Sequence, residues 1–316
     1  MKKLPYTLGL DVGGSVVKCL ALSPTGGELF RQRAPHCGAA HAPPGHSGAA
    51  GFLDAARNCA AECVHTLEAP PAWTGVAAPG LAARDGRSIA VMPGRMAGLE
   101  GLDWGRELAA PGYAPVLNDG HAALLGEAWL GAGRGCQNLI MFTLGTGVGG
   151  ALLLNGRIFT GALGRAGHLG HICLNPDGAP GITRIPGSLE DQVGEFSLFS
   201  RSEGRFETTA ALLEAVYNGD AFAQSVWQRS IRALACGIAS LINVADPEGV
   251  IVGGGIAQAG SALLEPLEQE MNAVEWRPVN TGVPIKLAEL GEWAGAIGAA
   301  RHAMLTAKPE EEIRTA

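Results

Sequence analysis

The sequence predicts an α/β protein of two lobes, each built around its own sheet. Two glycine-rich turns, each set between apolar runs that are typical of strands, lie over a hundred residues apart in the chain. The length of 316 residues is enough for one large or two medium domains, each with a sizeable core. We therefore expect two lobes that face each other across a cleft, although the turns share no repeat beyond glycine pairs and hydroxyls.

The first hairpin is predicted at residues 7–22, where two apolar runs are joined through a glycine pair. Asp11 ends the first strand, and a carboxylate at that place can hold a Mg²⁺-bound water. The turn offers donors for phosphate oxygens, and Lys18 adds a positive charge. Since Asp-x-Gly-Gly turns also join strands without any ligand, this hairpin alone is a weak signal. The turn residues predicted to contact phosphate are Gly13, Gly14 and Ser15.

The second hairpin places a glycine-rich turn, residues 143–150, between two further apolar runs. Glycines let backbone N–H groups approach an anion closely, and threonine hydroxyls add donors. The spacing also satisfies G-x-G-x-x-G, but a strand rather than a helix follows, which excludes a dinucleotide-binding fold. An ordinary glycine-rich hairpin stays the alternative interpretation. The predicted phosphate contacts are Thr143, Gly145, Thr146 and Gly147.

A third informative stretch begins at Asn118 and Asp119, where a short strand passes into a helix. Both residue types are good helix N-caps, which is the simpler interpretation of either one. With two phosphate-type hairpins in the same chain, we favour Asp119 as a general base that accepts the proton of an alcohol during phosphoryl transfer. Gly80, which follows a proline, either brings backbone close to a ligand or ends a strand.

Composition and charge exclude several classes of protein. With a net charge of −7 and a pI near 5.6, nothing favours a nucleic-acid partner or an anionic membrane. No apolar run reaches the roughly 18 residues of a membrane span, and Pro5 and Asp11 interrupt the start too early for a signal peptide. Seven cysteines without paired spacing fit a reducing cytoplasm better than a disulfide framework.

A Pro-, Gly- and Ala-rich stretch at residues 33–48 carries several potential metal ligands. We interpret this stretch as a solvated loop, because the ligands lack the compact spacing of known metal sites. The four side chains are His36, Cys37, His41 and His46.

The order and spacing of a series of motifs identify a family resemblance. The motifs are D-V-G-G-S-V-V-K at 11–18, N-D at 118–119, T-L-G-T-G-V-G-G at 143–150, A-G-H-L-G-H at 166–171, I-V-G-G-G at 251–255 and A-G-A-I-G-A-A at 294–300. They resemble the ROK family of sugar kinases and related repressors, over nearly the whole chain. That family adopts the actin-like, ribonuclease-H-like α/β fold with two lobes. The resemblance implies lobes at residues 1–118 and 119–289, with a helix at about 290–306 packing back on the first lobe.

The resemblance also implies an ATP-dependent, glucokinase-like kinase that acts on a hexose or hexose derivative. Asp119 would be the catalytic base, Asn118 would hold the sugar, and Asp11 would bind Mg²⁺ through water. Both hairpins would hold the phosphates of ATP. Family members are commonly dimers or tetramers, so a homodimer or homotetramer is expected. The adenosine would lie at Gly253, Gly254 and Gly255, where a strand-to-helix turn without ligand is the alternative.

The chain departs from the family pattern where the sugar is expected. His168 stands where members commonly have glutamate, and a neutral histidine accepts through only one nitrogen. Arg95 replaces an asparagine. Glu190 matches a sugar-contacting glutamate, with a helix-dipole role as the alternative. These changes motivate the hypothesis that the substrate is not plain glucose but a modified or acidic sugar. The expected substrate-binding residues are Gly80, Arg95, Asn118, His168, His171 and Glu190.

The zinc motif of the family is missing as well. His171 matches its histidine, but Gly181, Thr183 and Ser188 stand at the cysteine positions. We therefore expect no structural zinc, by ligand count. A sugar-binding or satisfied histidine pair is favoured over the alternative, an incomplete metal cluster of His168, His171 and Cys173.

Two other functions belong to the same family resemblance. Repressors of the family carry a winged-helix extension before the first phosphate loop, and here that loop begins at Leu8, which leaves no room for it. A non-catalytic sugar-binding regulator is the remaining alternative. Such a sensor has no chemical need for a base, whereas Asp11, Lys18 and Asp119 are all retained. The sequence leaves open the sugar, the phosphorylated hydroxyl and the phosphoryl donor.

Overall fold

The computed structural model describes residues 5–36, 49–92, 96–181 and 183–307. The chain forms two compact units of mixed α/β structure, which agrees with the predicted α/β class. The first unit comprises Met1–Arg134, Thr160–Arg165 and Glu292–Ala316, and the second comprises Gly135–Phe159 and Ala166–Gly291. Within the described ranges, each helix is too short or too polar to cross a bilayer.

Both units combine strands with helices. The strands are β1 (Thr7–Val12), β2 (Val16–Leu22), β3 (Glu28–Pro35), β4 (Trp73–Ala78), β5 (Leu81–Ala82), β6 (Ile89–Val91), β7 (Val116–Asn118), β8 (Leu139–Leu144), β9 (Val148–Leu154), β10 (Arg157–Ile158), β11 (Gly249–Gly253) and β12 (Ile285–Leu287). The helices are α1 (Ala49–Leu67), α2 (Trp104–Glu107), α3 (Asp119–Leu130), α4 (Leu189–Val193), α5 (Leu198–Arg201), α6 (Thr209–Tyr217), α7 (Ala221–Ala245), α8 (Ser261–Val274) and α9 (Ala294–Ala307).

The first unit is built on a five-stranded sheet in the order β3-β2-β1-β4-β7. β1, β4 and β7 run parallel, while β2 and β3 extend the sheet as antiparallel strands. Successive residues of a strand point to opposite faces, so Leu8, Leu10 and Val12 share one side of β1. All three lie in a core that includes Phe52 of α1. The apolar alternation of β1 therefore fixes which face α1 covers.

The opposite face of this sheet is covered by α9, which approaches through glycines. A Cβ on Gly9 would lie 2.0 Å from the carbonyl oxygen of Ala296, and Gly75 on β4 meets α9 just as closely. α9 also crosses α3 at short range, since a Cβ on Gly298 would lie 1.7 Å from the carbonyl oxygen of Ala122. Only glycine leaves room for such backbone contacts, so α9 packs against the sheet and α3 with backbone close to backbone at these points.

The compact first unit extends through α3 to Arg134 and takes up Glu292–Ala316 as well. The boundary implied by the family resemblance, between residues 118 and 119, falls at the start of α3. Because α3 packs on α9, it belongs to the same unit as β1 and β4.

The second unit is built on a sheet in the order β10-β9-β8-β11-β12. β8, β11 and β12 run parallel, and β9 and β10 are antiparallel. The long helix α7 packs an apolar stripe into the core, including Ile231, Leu234 and Ile238, as its 3.6-residue periodicity requires. α6 and α8 pack on α7. Each unit thus joins three parallel strands to an antiparallel hairpin.

Each predicted phosphate hairpin leaves a parallel strand near that strand's carboxyl end. In the first unit Asp11 on β1 and Asn118 on β7 pair with successive residues of β4, so both lie at one edge of the sheet. In the second unit Thr143 on β8 pairs with Gly253 on β11. Ligands of open α/β sheets bind at the carboxyl ends of the strands. The topology therefore brings Asp11, Asn118, Thr143 and Gly253 to the edges at which sheets of this kind bind ligands.

Two local predictions are corrected by the structure. β3 runs to Pro35, so the start of the stretch predicted as a solvated loop is strand, because it continues the ladder with β2. Cys37, His41 and His46 lie outside the described residues. The helix that the sequence predicts from about Gln258 to Val274 begins at Ser261 and ends at Val274, because a 3₁₀ turn at Ile256–Ala259 comes first.

Candidate active site

Asp11 and Lys18 face each other across the first hairpin and form an ion pair. The two residues are register partners, and Lys18 Nζ donates to Asp11 Oδ2 at 3.0 Å. Burial raises the pKa of the Asp11 carboxyl, the ammonium of Lys18 opposes that rise, and the carboxylates of Asp119 and Glu292 add to it. Oδ1 of Asp11 has no hydrogen-bond partner among the described residues, so one oxygen stays available to a ligand.

The turn between β1 and β2 is closed by a short backbone bond. Gly13 N donates to the carbonyl oxygen of Val16 at 3.0 Å. A Cβ on Gly14 would meet nothing within 4 Å, so the space in front of this residue is open. Gly14 and Ser15 are exposed. The turn can therefore receive an anion, and Asp11 at its entrance is suited to a Mg²⁺ ion held through water, the usual arrangement for Mg²⁺ on substrate phosphates.

Asn118, rather than Asp119, is the N-cap of α3. Its Oδ1 accepts from the backbone N–H groups of Gly120 at 2.9 Å and His121 at 3.3 Å. Its Nδ2 donates to the carbonyl oxygen of Gly80 at 3.0 Å. Gly80 has φ +103°, and a Cβ there would lie 2.6 Å from a backbone oxygen, so the position requires glycine. The structure brings Gly80 and Asn118 together, and Asn118 is held rigidly by the scaffold.

Asp119 is the first residue of α3 and presents its side chain at the same edge as Asp11. Its Oδ1 accepts from Gly120 N at 2.8 Å. The residue keeps an exposed surface, yet protein atoms crowd its carboxyl, and this burial raises the pKa of Asp119. Hydrogen bonds from Gly120 and Asn118, and the charge of Lys18, oppose the rise. Asp119 is thus a fixed, accessible carboxylate whose proton affinity is higher than that of a free aspartate.

The turn of the second hairpin is held from one side by the segment that follows α4. The carbonyl oxygens of Gly145 and Thr146 accept from the N–H groups of Glu195 and Phe196, both at 3.0 Å. In a trans peptide the N–H points away from the carbonyl, so the N–H groups of Thr146 and Gly147 face the opposite side. That side is the one on which this turn can bind an anion.

Arg201 binds the segment that follows α4 and holds the turn of the second hairpin. Its guanidinium donates to the carbonyl oxygens of Val193 and Gly194, both at 3.2 Å, and to Ser197 Oγ at 3.1 Å. Burial lowers the pKa of Arg201 to about 10. The sequence carries no motif for this arrangement, because the acceptors are two backbone carbonyls and the hydroxyls of Ser197 and Ser230.

The expected sugar residues of the second unit lie together and touch the phosphate turn. Glu190, at the start of α4, has Oε1 3.6 Å from His171 Nε2. The rings of His171 and His168 are 6.0 Å apart and nearly perpendicular. A Cβ on Gly147 would lie 2.9 Å from Glu190 Oε2. The predicted sugar end and the predicted phosphate turn are therefore in direct contact. Arg95, the remaining expected sugar residue, lies outside the described residues.

The glycine triplet packs behind the second hairpin. Gly254 has φ +91°, and a Cβ there would lie 2.3 Å from the carbonyl oxygen of Leu144, the last residue of β8. A Cβ on Gly253 would meet Met141 at 3.0 Å, whereas one on Gly255 would meet nothing within 4 Å. The triplet thus has a structural requirement at Gly254, and open space at Gly255 where a ligand can approach.

The positions of the missing zinc ligands are occupied by a hydrogen-bonded turn. Ser188 caps α4, with Asp191 N donating to Ser188 Oγ at 3.2 Å and Oγ donating to Asp191 Oδ2 at 2.6 Å. A Cβ on Gly181 would lie 2.0 Å from that same oxygen, so a cysteine there would have to displace the Asp191 carboxylate. Cys173 Sγ donates to the carbonyl oxygen of Pro186. In the part of the chain that the structure describes, no group of three His, Cys, Asp or Glu side chains is arranged to hold a metal ion.

His36 has a role that the sequence analysis missed. The stretch that contains it was interpreted as a solvated loop, but the ring Nε2 lies 2.9 Å from the carbonyl oxygen of Gly13 and the ring meets Phe52 edge-on. The end of β3 carries His36 to the first phosphate turn. Its neighbours along the chain gave no sign of this, because the contact depends on the pairing of β2 with β3.

Comparison with known proteins decides the family. The profile of the ROK family matches residues 7–305. The chain belongs to the ROK family. The solved ROK hexokinase of Thermus thermophilus superimposes with a TM-score of 0.78 at 26% identity, covering 95% of this chain and 98% of that one. The fold is accordingly the two-lobed, actin-like α/β fold of the ROK kinases.

Other ROK proteins similar to this chain carry named activities. A glucokinase of Halalkalibacterium halodurans is 38% identical over 205 residues, which are 58% of this chain and 62% of that protein. An N-acetylmannosamine kinase of Escherichia fergusonii is 29% identical over 93% of this chain and 97% of its own length. A Streptomyces griseus ROK glucokinase, solved with glucose and AMPPNP, superimposes with a TM-score of 0.72 at 26% identity, covering 95% and 99% of the two chains.

Proposed function

We propose that this ROK protein is an ATP-dependent sugar kinase that transfers the γ-phosphoryl group to a hydroxyl of a hexose or hexose derivative. The observation that carries the proposal is the position of Asp119. Its carboxyl is fixed at the carboxyl edge of the first sheet, and it is coupled electrostatically to the Asp11–Lys18 pair. A sugar-binding protein that performs no chemistry has no need for a general base.

Asp119 acts as the general base of this reaction. It accepts the proton of the sugar hydroxyl while the hydroxyl oxygen attacks the γ-phosphorus, the bond from that phosphorus to the β,γ-bridging oxygen breaks, and ADP leaves. The Gly120 N–H bond orients the carboxylate, and Asn118 fixes the start of α3. Burial raises the pKa of Asp119, which strengthens its carboxylate as a base.

The phosphates are held by the two glycine turns. In the first unit Gly13, Gly14, Ser15 and Lys18 are the proposed contacts, and Asp11 holds Mg²⁺ through water. Such an ion would offset part of the negative charge that the phosphates carry. The proposed contacts of the second unit are Thr143, Gly145, Thr146 and Gly147 for phosphate, and Gly253, Gly254 and Gly255 for adenosine.

The sugar contacts proposed for the second unit are Glu190, His171 and His168. Glu190 accepts from sugar hydroxyls, and its contact with Gly147 ties the sugar to the phosphate turn. The glutamate common in the family only accepts hydrogen bonds, whereas His168 can donate one and accept one. We therefore propose a modified or acidic sugar rather than plain glucose as the substrate. The similarity to an N-acetylmannosamine kinase supports a modified sugar. Gly80, Asn118 and Arg95 are the proposed contacts of the first unit.

The proposal includes a cytoplasmic location and assembly into homodimers or homotetramers. The cysteines that the structure describes are free thiols, which fits a reducing compartment. Light scattering of the purified protein measures the assembly directly.

A coupled ADP-release assay across neutral, N-acetylated and acidic sugars tests the activity, with Asp119→Asn as the control variant. We expect sugar-dependent ADP release by the wild type and a loss of about 10²- to 10⁴-fold in kcat in the variant, which still binds nucleotide. Sugar binding without ADP release from any sugar would favour the alternative, a non-catalytic regulator. Glucose as the best substrate would overturn the modified-sugar proposal alone.

A further inference from the structure

The backbone and ring of His36 both bind the first phosphate turn. His36 N donates to the carbonyl oxygen of Ser15 at 2.9 Å, and the ring Nε2 lies 2.9 Å from that of Gly13. A carbonyl oxygen can only accept, so Nε2 carries the proton in this contact. The other ring nitrogen, Nδ1, is buried without a hydrogen-bond partner among the described residues.

The Gly13 contact determines where the next amide points. Because the peptide is planar and trans, a carbonyl of Gly13 directed at His36 places the N–H of Gly14 on the opposite side of the turn. The space in front of Gly14 is open, and its N–H makes no hydrogen bond within the described residues. A glycine pair without this anchor can rotate the intervening peptide at little cost, since glycine populates both signs of φ.

The ring itself is held by the core of the first unit. It meets Phe52 edge-on, with ring centroids 6.3 Å apart, and Phe52 is almost completely buried among the residues that pack α1 on the sheet. His36 therefore connects a rigid part of the core to one peptide of the turn.

We propose that His36 is a positioning residue that holds the Gly13–Gly14 peptide with its N–H directed at a nucleotide phosphate. This inference rests on the proposed function, because it takes the turn to bind ATP. The turn is then preorganised by a side chain that does not itself touch the ligand.

The experiment compares two substitutions of His36. One leaves a ring that cannot donate a hydrogen bond, and the other leaves an N–H donor near the carbonyl oxygen of Gly13. His36→Phe removes the hydrogen bond and keeps the ring packing on Phe52, whereas His36→Gln retains an N–H donor. Titration calorimetry measures the Kd of AMPPNP with Mg²⁺, and separately the Kd of the best sugar. We expect the Kd of AMPPNP to rise about three- to tenfold in His36→Phe and to stay near the wild-type value in His36→Gln, as the loss of one hydrogen bond implies. The Kd of the sugar stays unchanged in both variants.

The inference is overturned if His36→Phe binds AMPPNP as the wild type does, if both variants weaken nucleotide and sugar alike, or if the wild type binds no AMPPNP. His36→Leu replaces His36→Phe if the latter does not fold. A crystal structure of the donor-free variant supports the inference if the Gly13–Gly14 peptide has rotated. Failure of the proposed function gives a different result. A wild type that phosphorylates no sugar, yet binds AMPPNP in a manner that depends on His36, would refute the kinase activity and leave the positioning role of His36 intact.

Discussion

The carboxylate of Glu190 rests directly against Gly147, so that a Cβ on the glycine would lie 2.9 Å from Oε2. The helix that carries the proposed sugar contact therefore touches the turn that is proposed to hold phosphate. Any side chain at position 147 must displace this carboxylate, and with it the contact to His171 at 3.6 Å.

Gly147→Ala is expected to weaken sugar binding more than it weakens folding. The added methyl group meets the end of a flexible side chain, which can move, so the melting temperature changes little. The displaced Glu190 loses its placement, and we expect the KM for sugar to rise about three- to tenfold, the equivalent of one lost hydrogen bond. Gly145→Ala is the matched control, because a Cβ there meets nothing within 4 Å. Equal effects of the two substitutions would contradict the role of the Glu190 contact.

The pH dependence of the reaction is expected to respond to Lys18. Asp119 can accept a proton only when it is ionised, so kcat/KM falls as the pH drops through its pKa, which burial raises above the usual 3.8. The ammonium of Lys18 lowers the pKa of both Asp119 and Asp11. Lys18→Met therefore shifts the acid limb of the pH–rate profile to higher pH, while Lys18→Arg, which keeps the charge, leaves it near its original place. An acid limb that does not move in Lys18→Met would refute the coupling.

Asn118 is expected to contribute stability by two separable bonds. Asn118→Ala removes the cap of α3 and the bond to Gly80, which together cost about 1–3 kcal/mol, or roughly 1.5–5 °C in melting temperature for a chain of this size. Asn118→Ser keeps a side-chain oxygen that can accept from the first N–H groups of α3 and loses the donor to Gly80. Its melting temperature should fall between those of the wild type and Asn118→Ala, and calorimetry would count against this account if the two variants melted together.

His302 makes the protein sensitive to mild acid. Burial on α9 lowers the pKa of its imidazole from 6.5 to about 4, so the unfolded chain binds this proton more tightly than the folded protein does. Stability from this group is present above pH 6.5 and is lost as the pH falls toward 4. Between pH 7 and pH 5 the loss amounts to about 1–2 kcal/mol. His302→Gln should lose less melting temperature over this interval than the wild type. An identical acid response in the variant would show that other groups are responsible.

The turn at the missing zinc motif is expected to hold without metal. Metal analysis of the purified protein should find zinc well below one atom per chain, and a strong chelator should leave the melting temperature unchanged. Ser188→Ala removes a buried cap of α4 and its bond to Asp191, and we expect a loss of about 2–4 °C. A chelator that lowers the melting temperature of the wild type would speak for a metal that supports this turn.

The glycine hairpins and the cap of α3 could be predicted from the sequence because the residue types themselves carry the signal. Glycine pairs between apolar runs indicate tight turns, and asparagine at the start of a helix indicates an N-cap. The alternative interpretation of Asn118 as a cap is confirmed, since its Oδ1 accepts from two N–H groups of α3. The family resemblance is confirmed by the ROK profile and the ROK structures.

Contacts across the fold could not be predicted in this way. The groups that hold the second turn are backbone N–H groups of Glu195 and Phe196, and almost any residue other than proline supplies them. Glu190 lies close to Gly147 because of where α4 packs. The pattern of apolar residues in the sequence does not predict that packing. His36 was assigned to a solvated loop because its flanks are rich in proline and glycine, whereas the pairing of β3 decides its place.

The packing of α9 has a consequence for how the chain is made on the ribosome. β1 and β4 emerge well before α9, so the face that carries Gly9 and Gly75 stays open to solvent until the residues of α9 have been synthesised. The strands and long helices of the second unit are complete before that point. The unit that contains Asp119 is therefore the last to close, and a nascent chain that stalls before Ala294 exposes an unfinished sheet to chaperones and proteases.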